Sequence, residues 1–346
     1  MSEGPLPSLK PVLARLAEGE TLGEAEAEAA FNVLMAGEAT PAQIAGLLMA
    51  LRVRGETVDE IAGAARAMRA RMSTIAAPPG TVDVCGTGGD AQGTVNISTT
   101  VAFVVAGCGV PVAKHGNRAI SSRSGGADVL GALGVAIDAP FAVLEDALRQ
   151  ARVAFLMAPR HHAAMRHVAG PRVELGVRTI FNLLGPLANP ARVTRQLVGV
   201  FGRGWVRPLA ETLGRLGAER AWVVHGSDGL DELTVTGESH VAEWHDGRVR
   251  EFTVTPAEAG LKLASPAALK GGDAGENAEA LRAVLRGIGG PYRDAVLLNA
   301  AAALIVAGKA GDLKEGVALA ATAIDSGAAM AALEALVAIT RREAHP

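Results

Sequence analysis

The sequence predicts an α/β fold in which a small all-helical domain precedes a larger domain with a central, mainly parallel sheet flanked by helices. Three observations support this. Apolar residues recur at helical spacing throughout residues 1–75. From residue 81 onward, short β-branched runs alternate with helical segments, as in parallel sheets. The run Ala77-Pro78-Pro79-Gly80 separates the two patterns. It serves either as a hinge or as a plain turn.

The composition is that of a protein with a large core of small side chains. Of 346 residues, 49% are hydrophobic but only 3% are aromatic, and 42 are glycine. A net charge of −3 disfavours a general nucleic-acid binder. Both cysteines, Cys85 and Cys108, adjoin apolar runs and are expected to be reduced and buried. Because neither a signal peptide nor a long apolar run stands out, we expect a soluble, cytoplasmic protein.

Four helices are expected before the sheet. Thr40-Pro41 and Thr57 are good helix starts, since a threonine cap and a proline at the first helical position both suit the free N–H groups there. The predicted helices are Leu9–Ala17, Leu22–Ala36, Pro41–Arg52 and Val58–Arg71.

The most informative stretch runs from Val82 to Gly134. Strand Thr81–Cys85 breaks into the loop Gly86–Asp90, and strand Val110–Ala113 breaks into the loop Lys114–Arg118. Each loop leads towards a helix, one opening at Asn96-Ile97-Ser98-Thr99 and one near Gly126–Leu133.

Two such loops in tandem predict an anion site. Glycine allows backbone N–H groups to approach an anion, and a helix N-terminus adds free N–H groups. Lys114 and Arg118 supply positive charge. A single loop of this kind would more simply be a helix cap. The pattern is neither a Walker loop nor GxGxxG, because Gly86–Asp90 lacks the residues that each requires.

The remaining chain continues the β-α-β alternation and ends in helices. The segment Thr179–Pro190 is interpreted as a rigid structural loop. Predicted strands are Val153–Met157, Gln196–Phe201, Ala221–Val224 and an antiparallel pair within 235–256 that turns at Asp246-Gly247. Predicted helices are Val206–Leu216, a short one within Leu261–Lys270, Ala274–Arg286, Ala295–Ala307 and two within Glu315–Thr340.

Several residues allow more than one interpretation when taken alone. His161 and His162 are expected to line the mouth of a cleft or to cap a helix rather than to bind zinc. Arg172 would be a solvated helix residue, and Asp231-Glu232 either a solvated turn or a Mg²⁺ site. The Lys270–Asp273 turn is interpreted as structural.

Several long segments together resemble the signature motifs of the anthranilate phosphoribosyltransferase family. They follow one another along nearly the whole chain. The segments are Asp83–Asp90, Asn96–Thr99, Lys114–Ser122, Arg178–Pro190 and Asp231–Thr234.

The resemblance implies a fold of the nucleoside phosphorylase and phosphoribosyltransferase type. Residues 1–76 and a segment near 162–186 would form the small domain, and 77–161 with 187–346 the large one. The implied enzyme is a glycosyltransferase of tryptophan biosynthesis. It would move the phosphoribosyl group of 5-phosphoribosyl-1-pyrophosphate (PRPP) to the amine of anthranilate. The resemblance further implies two Mg²⁺ ions per active site, a homodimer, and a possible anthranilate synthase glutamine amidotransferase partner.

The resemblance also implies the site residues. Anthranilate would contact Gly86, Asn117 and Arg172, and the metal would be held by Ser98, Asp231 and Glu232. No acid or base is assigned, since an aromatic amine is already neutral at pH 7. PRPP would contact Gly86, Gly89, Asp90, Thr94, Asn96, Ile97, Ser98, Thr99, Lys114, His115, Gly116, Asn117, Arg118, Ala119, Ile120, Ser121, Ser122 and Gly126.

Two alternative functions stay open at this point. One is a pyrimidine nucleoside phosphorylase of the same fold, against which the Lys114–Ser122 motif and Arg172 argue. The other is a non-catalytic, nucleic-acid-binding relative, which would be expected to carry a basic groove and disrupted loops. One departure from the family is Gly126, where serine or alanine is common, so only that contact is in doubt.

Overall fold

A computed structural model describes residues 8–90, 92–118 and 124–342. The helices are α1 Leu9–Ala17, α2 Glu24–Ala36, α3 Pro41–Arg54, α4 Val58–Ala70, α5 Ile97–Gly107, α6 Gly126–Ala132, α7 Phe141–Gln150, α8 Ala158–His161, α9 Arg166–Leu175, α10 Phe181–Leu187, α11 Val206–Arg215, α12 Ala274–Leu285, α13 Pro291–Val306, α14 Leu313–Asp325 and α15 Ala328–Arg342. The strands are β1 Val82–Gly86, β2 Val112–Gly116, β3 Val153–Met157, β4 Arg195–Gly199, β5 Arg220–Gly226, β6 Ser239–His245 and β7 Arg248–Val254. Short 3₁₀ turns lie at Ala163–Met165, Arg203–Trp205, Pro256–Ala259 and Pro266–Leu269.

The helical start of the chain is confirmed. Helices α3 and α4 begin with capping boxes, in which Thr40 and Thr57 each accept from the backbone N–H three residues on. Pro41 occupies the first helical position, as predicted. These local signals explain why the starts of both helices could be predicted from the sequence.

The sheet has seven strands in the order β3-β2-β1-β4-β5-β6-β7. Strands β1 to β5 pair in parallel, and β5-β6-β7 pair antiparallel. The expected mainly parallel sheet is therefore confirmed. The hairpin between β6 and β7 turns at Asp246 and Gly247, whose φ angles of 49° and 75° suit a tight turn.

Each face of the sheet is covered by its own hydrophobic core. One core contains α5, which is buried on nearly every side, together with α13 and parts of α6, α7, α12 and α15. The other core runs from α11 into the N-terminal helices and includes Phe31, Leu48 and Phe181. The helical part of the chain is thus packed through a continuous apolar core onto one face of the sheet.

Two helices differ from the sequence-based expectation. The predicted rigid loop Thr179–Pro190 contains helix α10, which buries Phe181, Leu183 and Leu184 against the N-terminal helices. Gly185 and Pro186 concealed the helical spacing of these residues. Helix α7 was not predicted at all. Helices α9 and α10 pack against α2, α3 and α4, whereas the exact domain boundaries stay a prediction.

Strand β2 extends further than the predicted Val110–Ala113. It continues to Gly116 because β3 offers a partner up to the pair Gly116 and Met157. Lys114 and His115 therefore belong to a strand, so their side chains point to opposite faces of the sheet.

Both cysteines carry free thiols, as expected, but only Cys85 is fully buried. Cys108 is half-buried, and its thiol donates to the carbonyl of Leu319 at 3.6 Å. In the described parts of the chain, no single helix has the length and apolarity to cross a membrane. The bent pair α14 and α15 meets these criteria only jointly, across a 60° break.

Candidate active site

The candidate site lies where the carboxyl ends of β1 and β4 meet. The chain leaves β1 towards β2 and β3 on one side, and β4 leads to β5 on the other. Such a reversal of strand order leaves a crevice where α/β proteins bind ligands. The segment after β5 crosses this crevice and carries the acidic pair Asp231 and Glu232.

Two glycines make room for the acidic segment. A Cβ atom added to Gly86, at the end of β1, would collide with the Asp231 carboxylate, and one added to Gly199, at the end of β4, with the Asp231 backbone. The Gly88 N–H donates to Asp231 Oδ2 at 2.7 Å. Gly86 was predicted as a ligand contact, while Gly199 was missed because its partner lies far along the chain.

Ser98, Asp231 and Glu232 are brought together, as the predicted metal site requires. The Ser98 N–H donates to Glu232 Oε1 at 3.1 Å, and Lys114 Nζ donates to Ser98 Oγ at 3.1 Å. Lys114 is buried and also donates to the carbonyl of Val84 at 2.7 Å. One ammonium group therefore stands beside the Ser98 hydroxyl, and the backbone N–H of the same residue contacts the Glu232 carboxylate.

The pKa values of Asp231 and Glu232 are both raised, which disfavours their ionised forms in the absence of a cation. Burial raises the pKa of Asp231, and the charge of Asp90 raises it further. Burial likewise raises the pKa of Glu232, and the charge of Asp231 adds to the effect. A bound cation would reverse these shifts by favouring both ionised forms.

The donor set fits Mg²⁺. Carboxylate and hydroxyl oxygens are the hard ligands that this ion prefers. Within residues 8–90, 92–118 and 124–342, no cluster of three or more His, Cys, Asp and Glu side chains could hold a metal. A Mg²⁺ ion at Ser98, Asp231 and Glu232 would therefore complete its octahedral shell with water and substrate oxygens, which is its usual habit.

The first predicted loop is preorganised. Gly88 and Gly89 adopt φ angles of 66° and 76°, which glycine tolerates best. Thr87 Oγ1 accepts from the Phe201 N–H at 3.0 Å, so this side chain anchors the loop to the end of β4. Asp90 accepts from the Gln92 N–H at 3.3 Å.

The N-terminus of α5 follows this loop and carries the predicted residues 94 and 96–99. Asn96 stands at the cap position but makes no capping bond with its own helix. The side chains of Ile97 and Thr99 are buried, so only their backbone groups can serve a ligand. Thr99 Oγ1 would be 3.1 Å from a Cβ at Gly126, which places the starts of α5 and α6 side by side.

The second predicted loop is described only in part. Asn117 and Arg118 are exposed, and Arg118 pairs with Asp128 at 3.3 Å. Gly116 abuts the ring of Phe155, which leaves no space for a side chain. Ala119, Ile120, Ser121 and Ser122 lie outside the described residues.

His115 is not part of the loop surface. Its ring is buried, its Nδ1 lies 3.0 Å from the carbonyl of Gly185, and its centroid lies 5.1 Å from that of His162. Burial lowers the pKa of His115 to about 3 and that of His162 to about 4. Both rings are therefore neutral at physiological pH.

The prediction that His161 and His162 line the mouth of a cleft is wrong, since they are 1% and 4% exposed. His161 stacks on Phe141 with centroids 4.5 Å apart, and its Nδ1 lies 2.7 Å from the carbonyl of Ser73. The alternative, a helix cap, holds for His162 by position: it is the residue that ends α8 and precedes the 3₁₀ turn Ala163–Met165, although its side chain makes no capping bond. The pair holds the chain segments that connect the helical part to the sheet.

Two arginines from the helical part face aromatic rings. The guanidinium of Arg172 lies 5.0 Å from the Phe181 centroid, and burial lowers its pKa. The guanidinium of Arg178 lies 4.7 Å from the Phe201 centroid, and its Nε would be 3.8 Å from a Cβ at Gly89. Neither arginine forms an ion pair with a residue in the described ranges. Arg172 was predicted as a ligand contact, whereas Arg178 was only part of the segment Arg178–Pro190.

Two buried asparagines were missed by sequence reasoning. Asn299, on α13, accepts from the Leu233 N–H at 2.9 Å and donates to the Leu233 carbonyl at 2.8 Å. It thereby fixes the backbone next to Glu232. Asn277, on α12, donates to Asn96 Oδ1 at 2.9 Å. The only local signal was an amide residue within an apolar helical face.

Two family models match the chain. A helical bundle domain of a glycosyl transferase family covers residues 10–72, and the a/b domain of a glycosyl transferase family covers residues 78–330. Together they match most of the chain, in the same order as the helical and sheet-containing parts described above.

Curated relatives and solved structures agree with each other. The chain is 64% identical, over 99% of both chains, to the anthranilate phosphoribosyltransferase of Paramagnetospirillum magneticum, and 63% identical to that of Azospirillum brasilense, over 97% of this chain and 94% of the relative. The crystal structure of the enzyme of that name from Thermus thermophilus is 50% identical, with a TM-score of 0.90 over 95% of this chain and 99% of that chain. The structure of anthranilate phosphoribosyltransferase from Saccharomyces cerevisiae in complex with PRPP and Mg is 28% identical. Its TM-score is 0.88, and the match covers 96% of this chain and 97% of that chain.

Proposed function

The chain belongs to the anthranilate phosphoribosyltransferase family, and we propose that the crevice above β1 and β4 is where it transfers the phosphoribosyl group of PRPP to the amine of anthranilate. The products are N-(5-phosphoribosyl)anthranilate and pyrophosphate. The observation that carries this proposal is the meeting of Ser98, Asp231 and Glu232 with Lys114 beside the first glycine loop. The names of the relatives support this reaction rather than a nucleoside phosphorylase or a nucleic-acid-binding relative.

We assign PRPP to the two loops and the start of α5. Lys114, the loop N–H groups and Asn96 would face its phosphates, and Arg178 would reach the same anion from the helical part. Ser98, Asp231 and Glu232 would hold Mg²⁺, two ions in the complete site. The other predicted PRPP residues that the structure describes are Gly86, Gly89, Asp90, Thr94, Ile97, Thr99, Gly116, Asn117, Arg118 and Gly126. His115 was predicted as well, but it is left out of the proposed site because its ring is buried against the carbonyl of Gly185.

Anthranilate is assigned to the opposite side of the crevice through Arg172, while Asn117 and Gly86 would contact both substrates. A guanidinium matches a carboxylate in two-point contact, and stacking on Phe181 restricts the orientation of Arg172 before the substrate arrives. The half-buried position of Arg172 strengthens that contact, because water screens it less than at a fully exposed site.

The reaction then needs positioning and charge stabilisation rather than an acid or base. Mg²⁺, when bound, neutralises charge on the departing pyrophosphate. Lys114 and the loop N–H groups stabilise the same charge with donors that are already in place. The amine of anthranilate is uncharged at pH 7, so its lone pair attacks C1 of the ribose once Arg172 holds the ring in line. The C1–O bond to pyrophosphate breaks as the C1–N bond forms, and the proton that the amine loses passes to solvent.

The test is the loss of anthranilate fluorescence when purified protein is mixed with PRPP and MgCl₂. We expect consumption that requires all three components and stops with EDTA. If anthranilate persists with folded protein, the acceptor assignment is overturned, and release of pyrimidine base from nucleosides and phosphate becomes the next assay.

We propose that the protein is a homodimer joined through its helical part, residues 1–76 with the segment near 162–186. Val53, at the end of α3, is 80% exposed and Val173, on α9, is 81% exposed. Helices α3 and α9 pack together, so both valines lie on one unit and give it apolar surface to bury. The remaining unit would comprise 77–161 and 187–346. A cytoplasmic location and an amidotransferase partner stay predictions.

Light scattering coupled to gel filtration tests the dimer. We expect about twice the chain mass of 35.2 kDa for the wild type and a shift towards monomer for Val53→Glu/Val173→Glu. Leu263→Glu is the matched control, since Leu263 is 72% exposed on another part of the chain. A monomeric wild type, or a double variant that stays dimeric, would refute the assignment.

A further inference from the structure

The Lys270–Asp273 turn, predicted to be only structural, lies against the segment that leads from the first loop into α5. The two segments pair like short antiparallel strands. The contacts are a bridge between Thr94 and Lys270, a bond from the Val95 N–H to the Leu269 carbonyl (3.0 Å) and one from the Gly271 N–H to the Gly93 carbonyl (2.9 Å). The turn therefore fixes the path of the chain between the glycine loop and α5.

Close approach explains the two glycines of this turn. A Cβ at Gly271 would collide with the backbone of Thr94 and Val95, and one at Gly272 with the side chain of Glu276. Any larger residue at 271 would push the turn away from the loop. The Lys270 ammonium adds a bond to the carbonyl of Gln92 at 3.2 Å.

Asn277 links this turn to Asn96, and its own orientation is fully determined. It is 2% exposed, its Oδ1 accepts from the Gly272 N–H at 2.8 Å, and its Nδ2 donates to Asn96 Oδ1 at 2.9 Å. A backbone N–H can only donate, so the oxygen of the Asn277 amide must face Gly272. Its NH₂ group must then face Asn96.

This arrangement dictates the orientation of Asn96 in turn. Because Asn96 Oδ1 accepts from Asn277, the Asn96 NH₂ group points away from α12 and towards Ser124, whose carbonyl lies 3.4 Å away, at the start of α6. The backbone of Asn96 is anchored as well, since its carbonyl accepts from Thr100 Oγ1 at 3.0 Å and from Tyr292 Oη at 3.2 Å. Asn96 thus presents a donor in the space between the starts of α5 and α6.

We propose that Asn277 is a positioning residue for PRPP, acting through Asn96. It holds the Asn96 amide so that a donor, not an acceptor, faces the phosphate bound between the two loops. The inference rests on the proposed function, because it takes a phosphorylated substrate at that place. Asn277 itself lies behind Asn96 on α12, and among the described residues its side-chain amide bonds to Asn96 and Gly272.

The substitution Asn277→Asp separates orientation from packing. Aspartate has the size of asparagine and still accepts from Gly272, but it presents an oxygen to Asn96. Asn96 must then turn over, donate to the new carboxylate and aim its own oxygen at the phosphate. If Asn277 only filled space, this substitution would leave the affinity for PRPP unchanged.

The measurement is PRPP binding by titration calorimetry with MgCl₂, which needs no turnover of anthranilate. We expect Asn277→Asp to weaken PRPP binding about tenfold, the lower end of the effect seen when a residue that orients a metal ligand is replaced. The Michaelis constant for anthranilate should stay within about twofold. In the Asn96→Ala background the same substitution should add nothing, because the group through which it acts is gone. Glu276→Gln is the matched control, since glutamine preserves the bond that the Glu276 carboxylate accepts from the Asp273 N–H.

Each result supports or overturns the proposal. Unchanged PRPP affinity in Asn277→Asp, or equal losses with and without the Asn96 side chain, would overturn it. If Asn277→Asp does not fold, Asn277→Ala replaces it, since a freely rotating Asn96 should still weaken PRPP binding, and unchanged affinity is again decisive. A wild type that does not bind PRPP overturns this inference and the proposed function together, whereas one that binds PRPP but spares anthranilate removes only the acceptor assignment.

Discussion

The double variant Asp231→Asn/Glu232→Gln is expected to lose activity by about a thousandfold in kcat/KM, comparable to removing a preorganised transition-state stabiliser. Both carboxylates lie on the segment that Gly86 and Gly199 admit into the crevice, and Glu232 accepts from the Ser98 N–H. Amides keep the size of these side chains but remove the charge that holds Mg²⁺ against the pyrophosphate.

The fluorescence assay at increasing MgCl₂ checks this result. Glu238→Gln serves as the control, because Glu238 is an exposed carboxylate a few residues further along the chain. We expect its Mg²⁺ dependence to match that of the wild type. A double variant that recovers wild-type activity at saturating Mg²⁺ would show that the pair tunes affinity only, and one with unchanged activity would remove the metal assignment.

The substitution Arg172→Ala is expected to raise the Michaelis constant for anthranilate by about ten- to a hundredfold. A charge-assisted hydrogen bond contributes about 1.5–3 kcal/mol, and here the bond is made to a carboxylate in a half-buried place. The Michaelis constant for PRPP should change by less than about twofold, because Arg172 lies on α9 and stacks on Phe181, away from the glycine loop.

Two further arginines make this experiment specific. Arg166→Ala, an exposed change on the same helix, should leave both constants unchanged. Arg178→Ala should show the reverse pattern and weaken PRPP, since Arg178 lies next to Gly89. If Arg172→Ala and Arg178→Ala affect the same substrate, the placement of the two substrates on opposite sides of the crevice is wrong.

Local chemistry explains which parts of the fold could be predicted. Helix starts at Thr40 and Thr57 were legible because a cap is formed within three residues. The ends of strands were harder to predict, since β2 extends to Gly116 only because β3 lies beside it. Helix α10 was mistaken for a loop because Gly185 and Pro186 are poor helix formers, and burial of Phe181 and Leu184 overrides their preference.

In the candidate site, too, some features could be predicted from the sequence and others could not. The two loops and the acidic pair stood out because glycine, hydroxyl, amide and carboxylate residues cluster after strands. The sequence did not show in which direction each side chain points. His161 and His162 were expected to line the mouth of a cleft or to cap a helix, yet both rings are buried. Such burial depends on what packs around a residue, and no short stretch of sequence records it.

By itself, the sequence determined the α/β class, the helical start and the family, because these follow from periodicity and from long contiguous motifs. Only the tertiary structure decided that Gly199 must be small, that Asn299 fixes the acidic segment and that Asn277 orients Asn96. The last contact joins residues 181 positions apart. A hydrogen bond across that distance leaves no trace in local preference, since it forms only when the packing of α12 and α5 brings its two ends together.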